Sequence, residues 1–265
     1  MNLEFWGILL VAFLAGLEGV IDEWEFHQPI VACALVGLVT GNLVAGLALG
    51  ASLQLVTLGW MNIGSAVAPD AALGAVGAAW LVTGPAQLPV AMGVIMAIPL
   101  AVVGLWLTRG LRRIIVPLVA RADRAASRGN LGQITALQLM SIGLQGLRVV
   151  IPMAILLALP SAWMTTAYQW LPITLRGGLR VTAGLLVIVS FAIVINMMAS
   201  RRLWPFFFMG FACATDSHLN LIALVMIGVA LAVIYLNLKS KDQHPQGGGP
   251  TSSADDDLDR ELDDL

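Results

Sequence analysis

Charge is scarce in this sequence. Asp, Glu, Lys and Arg make up 11% of its 265 residues, against about 25% in soluble domains. So few charges cannot cover the surface of a water-soluble globule of this size. Cysteine is nearly absent too. Cys33 and Cys213 each lie in apolar sequence, outside any disulfide or metal-ligand spacing, and read as small buried hydrophobes. Also missing are His-Glu-x-x-His, Gly-x-Ser-x-Gly, a Gly-x-x-x-x-Gly-Lys-Ser/Thr phosphate loop and an aspartate-rich prenyl-diphosphate motif. Catalysis or nucleotide-driven coupling inside the chain is therefore unsupported, and no cofactor, metal or catalytic residue is expected. The N-terminus has no basic region: from Met1 to Gly16 the one charge is Glu4. It is expected to be retained, not cleaved as a signal peptide.

What is present is apolar length. Hydrophobic residues make up 58% of the chain and the mean hydropathy is +0.87. A bilayer-crossing helix needs about 20 apolar residues. Apolar runs cover 3–21, 30–61, 66–83, 88–108, 135–160, 179–199 and 203–238. These predict an all-α integral membrane protein with about six to eight membrane segments. Several are expected to be broken or re-entrant. The 30–61 run is too long for one crossing and holds Gly37, Gly41, Gly46, Gly50 and Gly59. The 203–238 run is interrupted by Thr215-Asp216-Ser217-His218, so a hairpin or two half-length helices suit it better than one straight span. Tryptophans 163 and 170 suit a membrane interface.

The net charge of −2 hides two segregated blocks. Seven of 16 acids lie in the last eleven residues, and six of 14 basic residues lie between Arg109 and Arg128. By the positive-inside rule the basic block faces the cytoplasm, as a loop or an amphipathic interfacial helix. Arg201-Arg202 marks that side again. The organisation expected is a first membrane half (1–108), a basic cytoplasmic segment (109–130), a second membrane half (131–240) and a disordered acidic cytoplasmic tail (241–265). Two halves with Gly/Pro-interrupted segments hint at inverted repeats.

Polar groups inside lipid cost several kcal/mol unless partnered or hydrated, so each is a functional candidate. One cluster is Asp22-Glu23-Trp24-Glu25-Phe26-His27-Gln28-Pro29. It reads either as a polar element on a substrate path, with Asp22, Glu25 and His27 as candidates, or as a loop at the membrane surface. A second runs from Gln54 to Asp70 and includes Thr57, Trp60, Asn62 and Ser65, with Gly59, Gly64 and Pro69 to break a helix. Non-helical backbone at membrane depth is tolerated where it lines a cavity or is buried in protein. Amides with one carboxylate suit a sugar, whose hydroxyls donate and accept, while Trp60 could pack on the ring. The other reading is polar glue between helices. A third group is Asn196 within a span, with Asp216, His218 and Asn220 further on.

The run Gly-Trp-Met-Asn-Ile-Gly-Ser-Ala-Val-Ala-Pro-Asp-Ala-Ala-Leu (59–73) resembles the IIC subunits of the mannose/fructose/sorbose-type phosphotransferase systems. So do Asp22-Glu23 with Phe26-His27 and Pro29, Leu144-Gln145, Arg148-Val149, Val194-Ile195-Asn196-Met197-Met198 and Pro205-Phe206-Phe207. The similarity extends from about residue 5 to 238. It implies a permease subunit of the bacterial inner membrane that binds and translocates a hexose or amino sugar. The expected partners are a IID membrane subunit, in an oligomer of IIC–IID pairs, and cytoplasmic IIA and IIB components. In such systems IIB phosphorylates the sugar, and the IIC chain has a moving core and a scaffold built from inverted repeats. The substrate-binding candidates, read from the polar clusters, are Gln54, Trp60, Asn62, Asp70, Asn196, Asp22, Glu25 and His27. Three places depart from the mannose-type pattern: Leu53-Gln54 stands for Leu-Glu, His27-Gln28-Pro29 for His-Arg-Pro, and Ala214-Thr215-Asp216-Ser217-His218 is more polar than the pattern, so mannose is not assumed. The competing readings are a self-sufficient secondary transporter or channel, driven by an ion gradient, and an intramembrane enzyme.

Overall fold

A computed structural model describes residues 2–17, 24–60, 62, 67–198, 200, 203–215 and 219–242. Among these residues the secondary structure is entirely helical. The chain divides into two compact units, residues 1–198 and 199–265.

The first unit begins with α1 (Asn2–Gly16), α2 (Pro29–Val39) and α3 (Leu43–Thr57). Pro29 opens α2 at a position where its missing N–H costs nothing. The helix stops at Thr40-Gly41, where Gly41 takes a φ of +76°. The Asn42 side chain then accepts from the Ala45 N–H (3.3 Å) and starts α3. The long apolar run is thus a tight helical hairpin. At 11 and 15 residues, α2 and α3 are about 16 and 22 Å long, short of the roughly 30 Å hydrocarbon layer. Gly46 permits their close approach: a Cβ there would lie 2.5 Å from the Cys33 carbonyl oxygen.

After the segment that includes Trp60 and Asn62 come α4 (Ala71–Thr83), α5 (Val90–Ser127) and α6 (Leu131–Ala158). The basic stretch expected to follow a crossing is helical and continuous with it, so α5 has 38 residues. At 1.5 Å per residue it is about 57 Å long, nearly twice the hydrocarbon thickness. Gly129 (φ +68°) reverses the chain, and Asn130 caps α6 by accepting from the Gln133 N–H (3.1 Å). Then come α7 (Ser161–Trp170) and α8 (Ile173–Met198).

The core of this unit lies between α1, α2, α3, α4 and the first part of α5, where Ile8, Val36, Leu49, Leu73 and Val76 are buried. Helix α4 is buried on all sides, as its small, uncharged sequence (Ala, Gly, Val) allows. Helix α8 touches α3 through the Ser190 hydroxyl, which donates to the Val56 carbonyl.

The second unit holds α9 (Trp204–Ala214) and α10 (Leu221–Asp242). Phe206 and Tyr235 meet edge-on at 5.5 Å. The 203–238 run is therefore interrupted as expected, but unequally: one short helix and one of 22 residues.

Helices α5, α6, α8 and α10 are long and apolar enough to cross a bilayer, and none of the Leu221–Leu238 window of α10 is buried. Large apolar side chains facing outward in such numbers would be costly in water and are at home in lipid.

Candidate functional site

Three polar side chains, from the start of α4, from α5 and from α6, meet at one point. Asp70 is the N-cap of α4, and one carboxylate oxygen accepts from the Leu73 N–H (3.1 Å). Its own N–H donates to the Ala101 carbonyl of α5 (3.0 Å). The second carboxylate oxygen accepts from the Arg148 guanidinium of α6, and the Thr108 hydroxyl of α5 lies 3.4 Å from it. Arg148 also donates to the Thr108 hydroxyl. Asp70 is 5% exposed and Arg148 7%. Burial of two charges is tolerable because each faces the opposite sign and is supplied with further hydrogen bonds. Gly104 makes room for the arrangement: a Cβ there would stand 2.5 Å from that of Asp70.

This knot forms part of the wall of a cavity of about 400 Å³, within the roughly 300–1,000 Å³ typical of small-molecule sites. Thr108, Leu111, Arg112 and Ile115 line it from one face of α5, and Gln145 and Arg148 from one face of α6, as their three- and four-residue spacings require. His27, Trp60, Asn62 and the Val67–Asp70 strand of backbone complete it. The Asn62 side-chain oxygen accepts from the Ala68 N–H (2.9 Å). The wall thus offers an indole, two amides, a carboxylate, two guanidiniums, an imidazole and a hydroxyl.

Of the residues singled out from sequence, His27, Trp60, Asn62 and Asp70 converge here. Gln54 stands aside from the cavity lining. Its amide donates to the Gln28 side-chain oxygen (2.6 Å) and its own oxygen accepts from the Ile30 N–H (3.3 Å), tying α3 to the start of α2. Glu25 is exposed, takes a φ of +53° and lies 3.8 Å from the His27 imidazole. Asn196 is exposed near the end of α8 and is not part of the lining. Asp22, Ser65, Asp216 and His218 lie outside the described residues. Sequence reasoning did not select Arg148, Thr108, Gln145 or Arg112. Arg148 had a signal: it is one cation in the middle of the apolar 135–160 run, and an ionisable group at that depth marks a site by default.

Comparison with known proteins gives the family. The family model described as the phosphotransferase system sorbose-specific IIC component matches residues 3–234. The chain belongs to that family. This IIC component is 40% identical to the mannose-specific EIIC component of Escherichia coli (strain K12), over 97% of this chain and 96% of that one. It is 36% identical to the sorbose-specific EIIC component of Klebsiella pneumoniae, over 97% and 98%. It is 39% identical to the fructose permease IIC component of Bacillus subtilis (strain 168), over 88% and 87%. Two solved structures, each 39% identical and covering 92% of this IIC component, are similar in fold. One, titled "Structure of membrane protein", has a TM-score of 0.85. The other, a cryo-electron microscopy structure of the mannose transporter ManYZ in complex with microcin E492, has a TM-score of 0.58. The IIC component is thus an integral membrane protein of the sugar-specific permease class, with relatives in bacteria.

Proposed function

We propose that this IIC component binds a hexose or amino sugar in the cavity beside the Asp70–Arg148 pair and translocates it across the bacterial inner membrane for phosphorylation by a IIB component. The observation that carries this reading is the composition of the cavity wall. Trp60 supplies an apolar face for a sugar ring, and Asn62, Gln145 and Thr108 supply donors and acceptors in one place. Sugars are recognised by that mixture, because each hydroxyl both donates and accepts. The Asp70 carboxylate and the Arg148 guanidinium are committed to each other, so their part is to hold the wall in shape. His27 closes the cavity from the side of α2.

Membership in the family supports a IID membrane partner, an oligomer of IIC–IID pairs, and cytoplasmic IIA and IIB components. The basic residues from Arg109 to Arg128 support a cytoplasmic side for that half of α5, and with it the acidic tail. Movement of a core against a scaffold is supported by membership in the family.

The test is uptake of labelled mannose, fructose, sorbose, glucose and N-acetylated hexosamines in cells without hexose systems of their own. The chain is expressed alone or with IID, IIA and IIB subunits. Uptake is expected only with the full set, and the sugar is recovered phosphorylated. Accumulation of unmodified sugar by the chain alone, collapsing with the ion gradient, would replace this reading with a secondary transporter.

A further inference from the structure

Among the described residues the cavity wall is not electrically balanced: Asp70 and Arg148 cancel, which leaves Arg112 as the remaining permanent charge. Arg112 is exposed and forms no ion pair with any described residue. A neutral sugar has no need of a full positive charge. An anion does.

The position of Arg112 is as telling as its charge. The apolar run 88–108 ends at Thr108, and the basic series starts at Arg109. Thr108, Leu111, Arg112 and Ile115 line the cavity in succession, so the cavity lies at the level where α5 passes from apolar to basic. Arg109, one turn before Arg113, is engaged elsewhere: its guanidinium lies over the Trp106 ring, 5.8 Å from the centroid. Arg112 alone among the six arginines from Arg109 to Arg128 lines the cavity.

We infer that Arg112 forms a phosphoryl subsite at the mouth of the cavity, beside the sugar-binding wall. This rests on the proposed function and extends it: the sugar wall takes the hydroxyls, and Arg112 takes the phosphoryl group that is to be joined to one of them. A guanidinium presents a planar fork of donors that matches phosphate oxygens two at a time. In the transfer, the bond from phosphorus to the donor side chain breaks and a P–O bond to the sugar hydroxyl forms. The hydroxyl proton leaves to the vacated donor atom or to water. Arg112 takes no proton and holds the phosphoryl oxygens. The group arrives on the donor component and departs on the sugar ester, so both sources present the same chemistry.

The experiment uses the complete IIC–IID complex in nanodiscs of zwitterionic lipid, so that anionic headgroups do not compete for Arg112. Affinities for a hexose and for its 6-phosphate are measured for the wild type, Arg112→Gln and Arg109→Gln. The phosphorylation kcat/KM is measured with the phosphorylated IIB component. Arg112→Gln is expected to weaken the ester about tenfold more than the free hexose, or to lower kcat/KM for the donor about tenfold, the scale of one charge-assisted contact. Loss of the ester alone assigns the subsite to the product, and loss of the donor rate assigns it to the incoming phosphoryl group. The inference is overturned if Arg112→Gln changes hexose, ester and donor alike, or if Arg109→Gln matches it, since charge along α5 would then suffice. A wild-type complex that binds no hexose instead removes the proposed function, and the subsite with it.

Discussion

The Asp70 carboxylate and the Arg148 guanidinium are joined across 78 residues of sequence, deep in protein, with Thr108 hydrogen-bonded to Arg148 and within reach of the carboxylate. Removal of one partner strands a buried charge and costs about 3–5 kcal/mol, whereas removal of both is often close to neutral. Asp70→Asn and Arg148→Gln, each alone, are therefore expected to lower the Tm of the purified protein sharply. The double substitution is expected to recover most of the loss. Additive losses in the double variant would show that the two side chains do not act as a pair.

Asn62 should behave differently from Asp70, because it is exposed and its one described bond is to the Ala68 N–H. Asn62→Ala is expected to leave Tm and membrane insertion nearly unchanged. Hexose affinity should fall by roughly 1–3 kcal/mol, the cost of an unmet polar partner. Equilibrium binding of labelled hexose to the IIC–IID complex, beside a melting curve, separates the two effects. Wild-type affinity would remove Asn62 from the sugar wall.

Gln54 and Gln28, two of the positions read from the sequence as departures from the mannose-type motif, have side chains hydrogen-bonded to each other (2.6 Å). A Glu and an Arg in their places would make an ion pair across the same gap. Gln54→Glu alone puts a half-buried carboxylate beside a neutral amide with no cation to balance it and is expected to destabilise by roughly 1–3 kcal/mol. Gln28→Arg added to it should restore the Tm. Absence of any rescue would mean that the two positions are not exchanged as a unit.

Gly46→Ala would bring a Cβ to 2.5 Å from the Cys33 carbonyl oxygen and 3.0 Å from the Gly37 Cα. Backbone on both sides cannot yield as a side chain could, so a loss of about 1–3 kcal/mol is expected from overpacking. Gly110→Ala, with nothing within 4 Å of its Cβ in mid-helix, should be neutral or stabilise by up to about 1 kcal/mol. Melting of the two variants side by side checks both. Equal Tm values would contradict the close approach of α2 and α3.

The apolar runs made the helices legible, and the Gly41-Asn42 pair marked where α2 gives way to α3. The length of α5 was not legible. Arginine is a good helix former, so nothing in local preference stops the helix at Arg109, while the change in polarity looks like the end of a span. The site was half visible. Trp60, Asn62 and Asp70 stood out because breakers flank them in apolar sequence. Gln54 stood out for the same reason, yet it serves the junction of α2 and α3. Arg148 carried the signal of a cation in an apolar run, but its partners lie on other helices, and no local pattern reports a pairing across 78 residues. Asn196 shows the converse, since a polar residue late in a span can simply face outward.

The cancellation of charge between Asp70 and Arg148 has an electrical consequence. A lone charge displaced through the membrane potential exchanges about 2.3 kcal/mol of work per 100 mV. A pair that travels together exchanges none. Among the described residues of the cavity wall, Arg112 is the charge left to feel the voltage of the cell.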